Sequence, residues 1–314
     1  MVNLTNLSIE VTLLRITKKT AQRLVRKHLE KLIRLIAHVA KKSDKDVERI
    51  HHLRTETRRS DAAIRLFQGW LPERHAKRTR MLLNQIRDKA GRIRDLDVQT
   101  PFLEALGQQV TEEVQRTLME RAKMLQENGS QSFRRYCKRL LKQDFAEKCK
   151  ALTQRMHRSQ SSSEQCLQEF CCLATSQLAT AFNTSIDSLK TDPDQLHRVR
   201  IVGRRMRYSL EMMSRLLPEF PTDGICEKLA SLQDEIGRVM DRRSLLQFLQ
   251  AFIAECGHGE FMKSLESAIS SFEAETKKRR DAVIQLIIEK AEEIREHAAE
   301  LSSGRFFGDE VLSE

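Results

Sequence analysis

Apolar residues return every three to four positions along most of the chain, separated by short polar or proline-containing breaks. That period predicts amphipathic helices rather than strands. The expected segments run over about residues 8–41, 44–70 and 74–98, with a long interrupted one over 101–157. A second series covers about 162–189, 194–217, 223–256 and 259–301. Leu71-Pro72 and Leu217-Pro218 end the second segment of each series, because proline cannot continue the ladder and constrains the residue before it. Ser43-Asp44 and Asp192-Pro193-Asp194 are suited to start the helices that follow, and His157 to Ser163 reads as a linker. The expected fold is all-α, with one four-helix unit over 1–158 and a second over 159–314.

The two proline stops lie 146 residues apart, and the same offset superimposes two further blocks without a gap. Ile50 to Ala62 reads IHHLRTETRRSDA and Leu196 to Tyr208 reads LHRVRIVGRRMRY, so His51, Arg54, Arg58 and Arg59 fall on His197, Arg200, Arg204 and Arg205. Gly91, Arg92 and Asp95 fall on Gly237, Arg238 and Asp241. A duplicated unit accounts for all three coincidences, and a pseudo-twofold arrangement would bring equivalent helices toward one surface.

On a helix, positions i, i+3 and i+7 share a face. His51, Arg54 and Arg58 therefore form one row, extended by Arg65, and His197, Arg200 and Arg204 form the other, broadened by Arg207. Ile50, Leu53, Ala62 and Leu66 supply the core stripe in the first motif; Leu196, Val199, Met206, Leu210 and Met213 supply it in the second. A basic row on a helix is commonly a solvated face, with Arg59 paired to Asp61 or Glu56. Against that, these rows repeat in register with histidine, and like charges at such spacings disfavour a helix unless a counter-ion relieves them. An arginine fork grips adjacent phosphate oxygens while staying charged, and histidine adds charge as pH falls.

Composition agrees with long helices and adds a field. The chain carries 55 Lys and Arg against 44 Asp and Glu, a net +11 over 314 residues, with only 5% aromatic residues and Trp70 its single tryptophan. Residues 1–150 hold 34 basic and 18 acidic side chains, whereas 151–314 hold 21 and 26, so attraction for anions is expected to be strongest over the first half. Secondary basic candidates are Lys18 and Lys19, Arg134 and Lys138, and Arg280, which matches Arg134 by the same offset. Seven cysteines show neither zinc spacing nor a disulfide framework, and Cys171-Cys172 read as core and boundary positions. Reduced cysteines, with neither a secretory leader in Met1 to Leu14 nor a membrane-length apolar run, point to a cytoplasmic protein without a membrane contact. The Asn3 and Asn6 triplets that match glycosylation acceptors carry little weight there. Gly91 and Gly237 sit in helical pattern, where they permit close packing or mark a kink, with Arg92–Asp95 and Arg238–Asp241 expected as structural pairs.

Together these motifs resemble the CHAD domain, the conserved histidine α-helical domain, over nearly the full chain. The resemblance rests on IHHLRTETRRSDAAIRLF at Ile50 to Phe67, GRIRDLDV at Gly91 to Val98, LHRVRIVGRRMRYSLEMM at Leu196 to Met213, and LQDEIGRVMD at Leu232 to Asp241. It implies two antiparallel four-helix bundles, related by a pseudo-twofold, around a basic groove that binds inorganic polyphosphate. The implied ligand-binding positions are His51, Arg54, Arg58, Arg59, His197, Arg200, Arg204, Arg205 and Arg207. It also implies a stand-alone module without the triphosphate-tunnel catalytic domain often joined to such chains, associated with polyphosphate granules. Two departures stand out: Arg242 and Arg243 replace the Leu96 and Asp97 of the first half, and Asp61 stands where the second half has Arg207.

Two other classes compete. Nucleic-acid binding would use the same rows on phosphates, and weak RNA or DNA affinity is expected from charge alone, but aromatic stacking residues are scarce. A phosphate-processing enzyme would need a metal cage or a positioned nucleophile, and neither a phosphate loop nor a convincing acidic cluster is evident. No catalytic residue, metal or cofactor is therefore expected. The acidic stretch Glu289 to Glu300 would suit a protein partner, and a homodimer is left open.

Overall fold

The computed structural model describes residues 15–16, 18–41, 46–106, 109–154, 165–257, 259 and 262–305. Within them the chain forms α1 (Lys18–Ala40), α2 (Asp46–Leu66), α3 (Glu73–Leu106), α4 (Glu112–Lys142) and α5 (Phe145–Gln154). It continues with α6 (Leu167–Thr191), α7 (Leu196–Leu216), α8 (Asp223–Cys256) and α9 (Lys263–Ser303). One two-residue antiparallel pairing, β1 (Arg15–Ile16) with β2 (Gln165–Cys166), is the sole strand structure among the described residues. The fold is thus all-α. The expected helix start at Ser43-Asp44 and the expected linker over His157 to Ser163 lie outside the described residues, as do the first 14.

Capping chemistry sets several boundaries as the sequence predicts. Asp192 accepts a hydrogen bond from the Asp194 backbone N–H at 2.9 Å, opening a short 3-10 turn over Pro193–Gln195 that leads into α7. α2 ends at Leu66 and a 3-10 turn over Gln68–Trp70 precedes Pro72. Two expectations fail. The break expected between 98 and 101 does not exist, because α3 runs through Pro101 to Leu106. A proline inside a helix costs about 3 kcal/mol, and burial of Leu103 and Leu106 beyond it offsets this at about 1.5–3 kcal/mol each. The second is the start of the interrupted segment, expected at about 101 and found at Glu112; its interruption falls at Asp144, between α4 and α5, where φ is 56°, in the left-handed region.

The helices pack in two closed circuits. In one, α1 contacts α2 and α4, and α3 completes the ring between them; in the other, α6 contacts α7 and α9, and α8 completes it. The circuits meet where α2 packs on α7 and α3 on α8. Gln99 of α3 donates to the Ser244 hydroxyl of α8 at 2.9 Å across this seam. The largest apolar core draws on both circuits, from Leu32, Leu53 and Ile86 to Val199, Leu210 and Ile236. A second core joins the far ends of the α3/α4 and α8/α9 hairpins through Leu103, Leu118, Leu249 and Leu265. Both predicted stripes are buried: Ile50, Leu53 and Ala62, and Leu196, Val199, Met206, Leu210 and Met213, with Leu66 packed partly against the core.

Candidate anion site between the two helix circuits

Because α2 and α7 lie side by side, each with its core stripe turned to its own circuit, their remaining faces meet α3 and α8 around a cavity of about 870 Å³. Arg54, Arg58, Arg65, His197, Arg200, Arg204 and Arg205 line it, so seven of the expected residues come together. Its nine arginines face four aspartates, Asp61, Asp88, Asp95 and Asp241, leaving a surplus of positive charge.

The two halves place their arginines alike. Arg54 of α2 reaches the Gly91 carbonyl of α3 at 3.4 Å and the Asp95 carboxylate at 3.9 Å. Arg200 of α7 lies against Gly237 of α8, where an added Cβ would stand 2.8 Å from its Nη2. That notch is what the missing side chain provides. The expected pairs beside the glycines are replaced: Asp95 faces Arg54, and Arg238 pairs with Glu235. Burial pushes the Asp95 and Asp241 carboxyls above the usual range, opposed by Arg54 and Arg200 respectively.

Arg58 and Arg204 are the least compensated cations. Among the described residues no carboxylate reaches ion-pair distance of either. Burial first, then Arg54, presses Arg58 down to about 10; burial and then Arg58 and Arg200 press Arg204 to about 8. A guanidinium holds its proton tenaciously, so desolvation and then mutual repulsion bear on cations that stay charged, and a counter-ion relieves both. Burial also lowers the two histidines, with Arg94 the largest charge acting on His51 and Arg200 the largest on His197. They therefore gain charge at a lower pH than an ordinary imidazole, not in its usual range.

Other expected residues lie elsewhere. His51 is exposed at the N-terminal part of α2 and does not line the cavity. Arg59 and Arg207 flank the Tyr208 ring, at 5.6 and 4.8 Å, and share the Glu211 carboxylate at 3.6 and 3.0 Å. They join α2 to α7 through Glu211, and Arg59 does not pair with Asp61 or Glu56. Asp61 is held by Arg65, Arg80 and Arg87, and Glu56 by His28 and Lys31. Lys19 and Lys138 are exposed away from the cavity, Arg280 pairs with Asp281, and Arg134 is half-buried on α4. Lys18 opens α1. Arg87, Arg92 and Arg243 line the cavity without having been singled out as ligand contacts, as does Tyr208. The 146-residue repeat marked the Gly91 block, and the Arg243 departure was visible, but neither indicated that α3 and α8 face α2 and α7.

The family model for the CHAD domain matches residues 23–250. The chain belongs to the CHAD domain family. Among solved structures, the CHAD domain from the plant Ricinus communis is similar at a TM-score of 0.60 and 19% identity, over 91% of this chain and 92% of that one. PptA from Streptomyces chartreusis is similar at a TM-score of 0.68 and 15% identity, over 88% and 99%. At such identities the likeness is one of fold. A search of curated proteins gave no match. This CHAD chain is all-α among its described residues apart from the one two-residue pairing, and no described helix is long and apolar enough to cross a membrane. Among the described residues no cluster of three or more His, Cys, Asp or Glu is placed to hold a metal ion, and all seven cysteines are free thiols.

Proposed function

We propose that this CHAD protein binds inorganic polyphosphate, without acting on it, in the arginine-lined cavity where its two four-helix halves meet. The observation that carries the reading is the pair Arg58 and Arg204, half-buried in one cavity with no carboxylate among the described residues at ion-pair distance of either. Two cations in that setting repel each other, and a ligand that supplies negative charge at regular intervals relieves both. A linear chain of phosphates fits because every unit is alike: it exchanges hydrogen bonds among Arg54, Arg58, Arg200 and Arg204 without a fixed register. Arginine forks supply paired donors for such oxygens. A flexible polyanion also releases its condensed counter-ions on binding, so affinity falls steeply with salt. A cytoplasmic chain with this property would associate with polyphosphate granules.

Nucleic acid is the competing polyanion, and the cavity offers it little beyond phosphate contacts, since Tyr208 is buried against Arg59 and Arg207. A titration with polyphosphate of defined length at fixed salt, competed by RNA and by pyrophosphate at equal phosphate concentration, tests the ligand class. The expected order is long polyphosphate, then RNA, then pyrophosphate. Stronger competition by RNA would reassign the site to nucleic acid.

A further inference from the structure

The two halves differ at one place in a way that leaves charge unbalanced beside an aromatic pocket. The 146-residue offset pairs Arg59 with Arg205, Asp61 with Arg207 and Arg65 with Glu211. Each half therefore keeps an i, i+4 ion pair, but with its polarity reversed: Asp61–Arg65 on α2 and Arg207–Glu211 on α7, both at 3.0 Å. The reversal has opposite consequences for the two equivalent arginines. Arg59 meets the carboxylate of Glu211 across the α2/α7 seam. Arg205 meets Arg65 instead, and among the described residues no carboxylate reaches ion-pair distance of it. Its Nε is buried without a partner, as is that of Arg59, so the difference between the two lies in the carboxylate. Asp61, the nearest acid, is already shared by Arg65, Arg80 and Arg87.

Arg65 and Arg205 also line a second pocket, of about 520 Å³, that adjoins the central cavity. Trp70 and Phe170 line that pocket, with rings 5.5 Å apart, together with Leu173, Gln68 and Gln177. Leu173 is 54% exposed and adds apolar surface to the pocket wall. Aromatic surface, amides able to hydrogen-bond the edge of a heterocycle, one guanidinium without a carboxylate partner and a second that shares Asp61 with two other arginines occur together here. An isolated apolar partner would leave the arginines unsatisfied, and an inorganic anion would leave the aromatic surface wet.

We propose that this pocket binds a nucleoside polyphosphate, its base against Trp70, Phe170 and Leu173 and its phosphates on Arg65 and Arg205. Base stacking on aromatic side chains tolerates any base, while glutamine amides favour one that presents a donor and an acceptor together. The site does not depend on polyphosphate occupying the central cavity, although Arg65 and Arg205 border both and so couple the two.

Trp70 is the sole tryptophan, so its emission reports this pocket alone. The full-length protein is titrated with ATP, adenosine and inorganic triphosphate, with excitation beyond the absorption of adenine and equilibrium dialysis of labelled ATP alongside. A saturating change with ATP is expected, with both fragments weaker by about tenfold or more. Arg205→Ala and Leu173→Glu should each weaken ATP by about tenfold with unchanged helical circular dichroism. Absence of saturable binding by either method would overturn the proposal, as would an equal response to inorganic triphosphate or undiminished affinity in both variants. Saturation by an aromatic peptide but not by ATP would overturn it too, and would give the pocket to a protein partner. None of these outcomes bears on whether Arg54, Arg58, Arg200 and Arg204 bind polyphosphate.

Discussion

Gly91 and Gly237 hold equivalent places in α3 and α8 but meet different surroundings. An added Cβ at Gly91 would touch nothing within 4 Å, whereas at Gly237 it would collide with the Arg200 guanidinium. Gly91→Ala should therefore raise stability by roughly 0.5–1 kcal/mol through helix propensity, read by urea denaturation. Gly237→Ala should gain less and weaken anion binding, because Arg200 must leave its notch; equal effects at both sites would contradict the asymmetry. Acidification offers a second test at this scale. In the cavity, His197 gains charge below the usual imidazole range, while Asp95 and Asp241 lose theirs above the usual carboxylate range. Both changes make the site more positive as pH falls. Polyphosphate affinity at constant salt should rise severalfold between about pH 7 and about pH 5.5, and a flat or falling profile would refute this. Arg54, Arg58, Arg200 and Arg204 were legible in the sequence because helix period alone puts them on one face. The contacts of Arg59 and Arg207 were not legible, because the wheel gives a direction from one axis and not what stands opposite; here that is Tyr208 and Glu211.

Helices α7 and α8 begin and end close to where their apolar period and caps predict, since those signals are local. The run of α3 through Pro101 was not legible, for the apolar partners that hold its far end come from a hairpin some 145 residues away. Leu103, Leu118 and Leu249 bury one another at the joined tips of the α3/α4 and α8/α9 hairpins. These contacts fix how α3 sits on α8, and hence the walls of the cavity. Leu249→Ala should cost about 2–5 kcal/mol, seen as a lower urea midpoint, and weaken polyphosphate binding although the residue is remote from it. Wild-type stability in this variant would show that the tips are not a core.

At the scale of the whole chain, net charge was a partial guide. Residues 1–150 hold most of the basic surplus, and the sequence pointed to the first row as the main attractor. The cavity draws arginines from both halves, and Arg204 of the second is pressed by burial and then by Arg58 and Arg200. Duplication brings the two rows to one place, so one shared site is expected rather than two patches, and its loss should require few substitutions. The direct test is to change Arg54, Arg58, Arg200 and Arg204 together to Ala and titrate long-chain polyphosphate at fixed salt, with helicity and oligomeric state followed in parallel. Affinity should fall by about tenfold or more with the fold intact; a titration curve that superimposes on that of the unmodified protein would contradict the central claim.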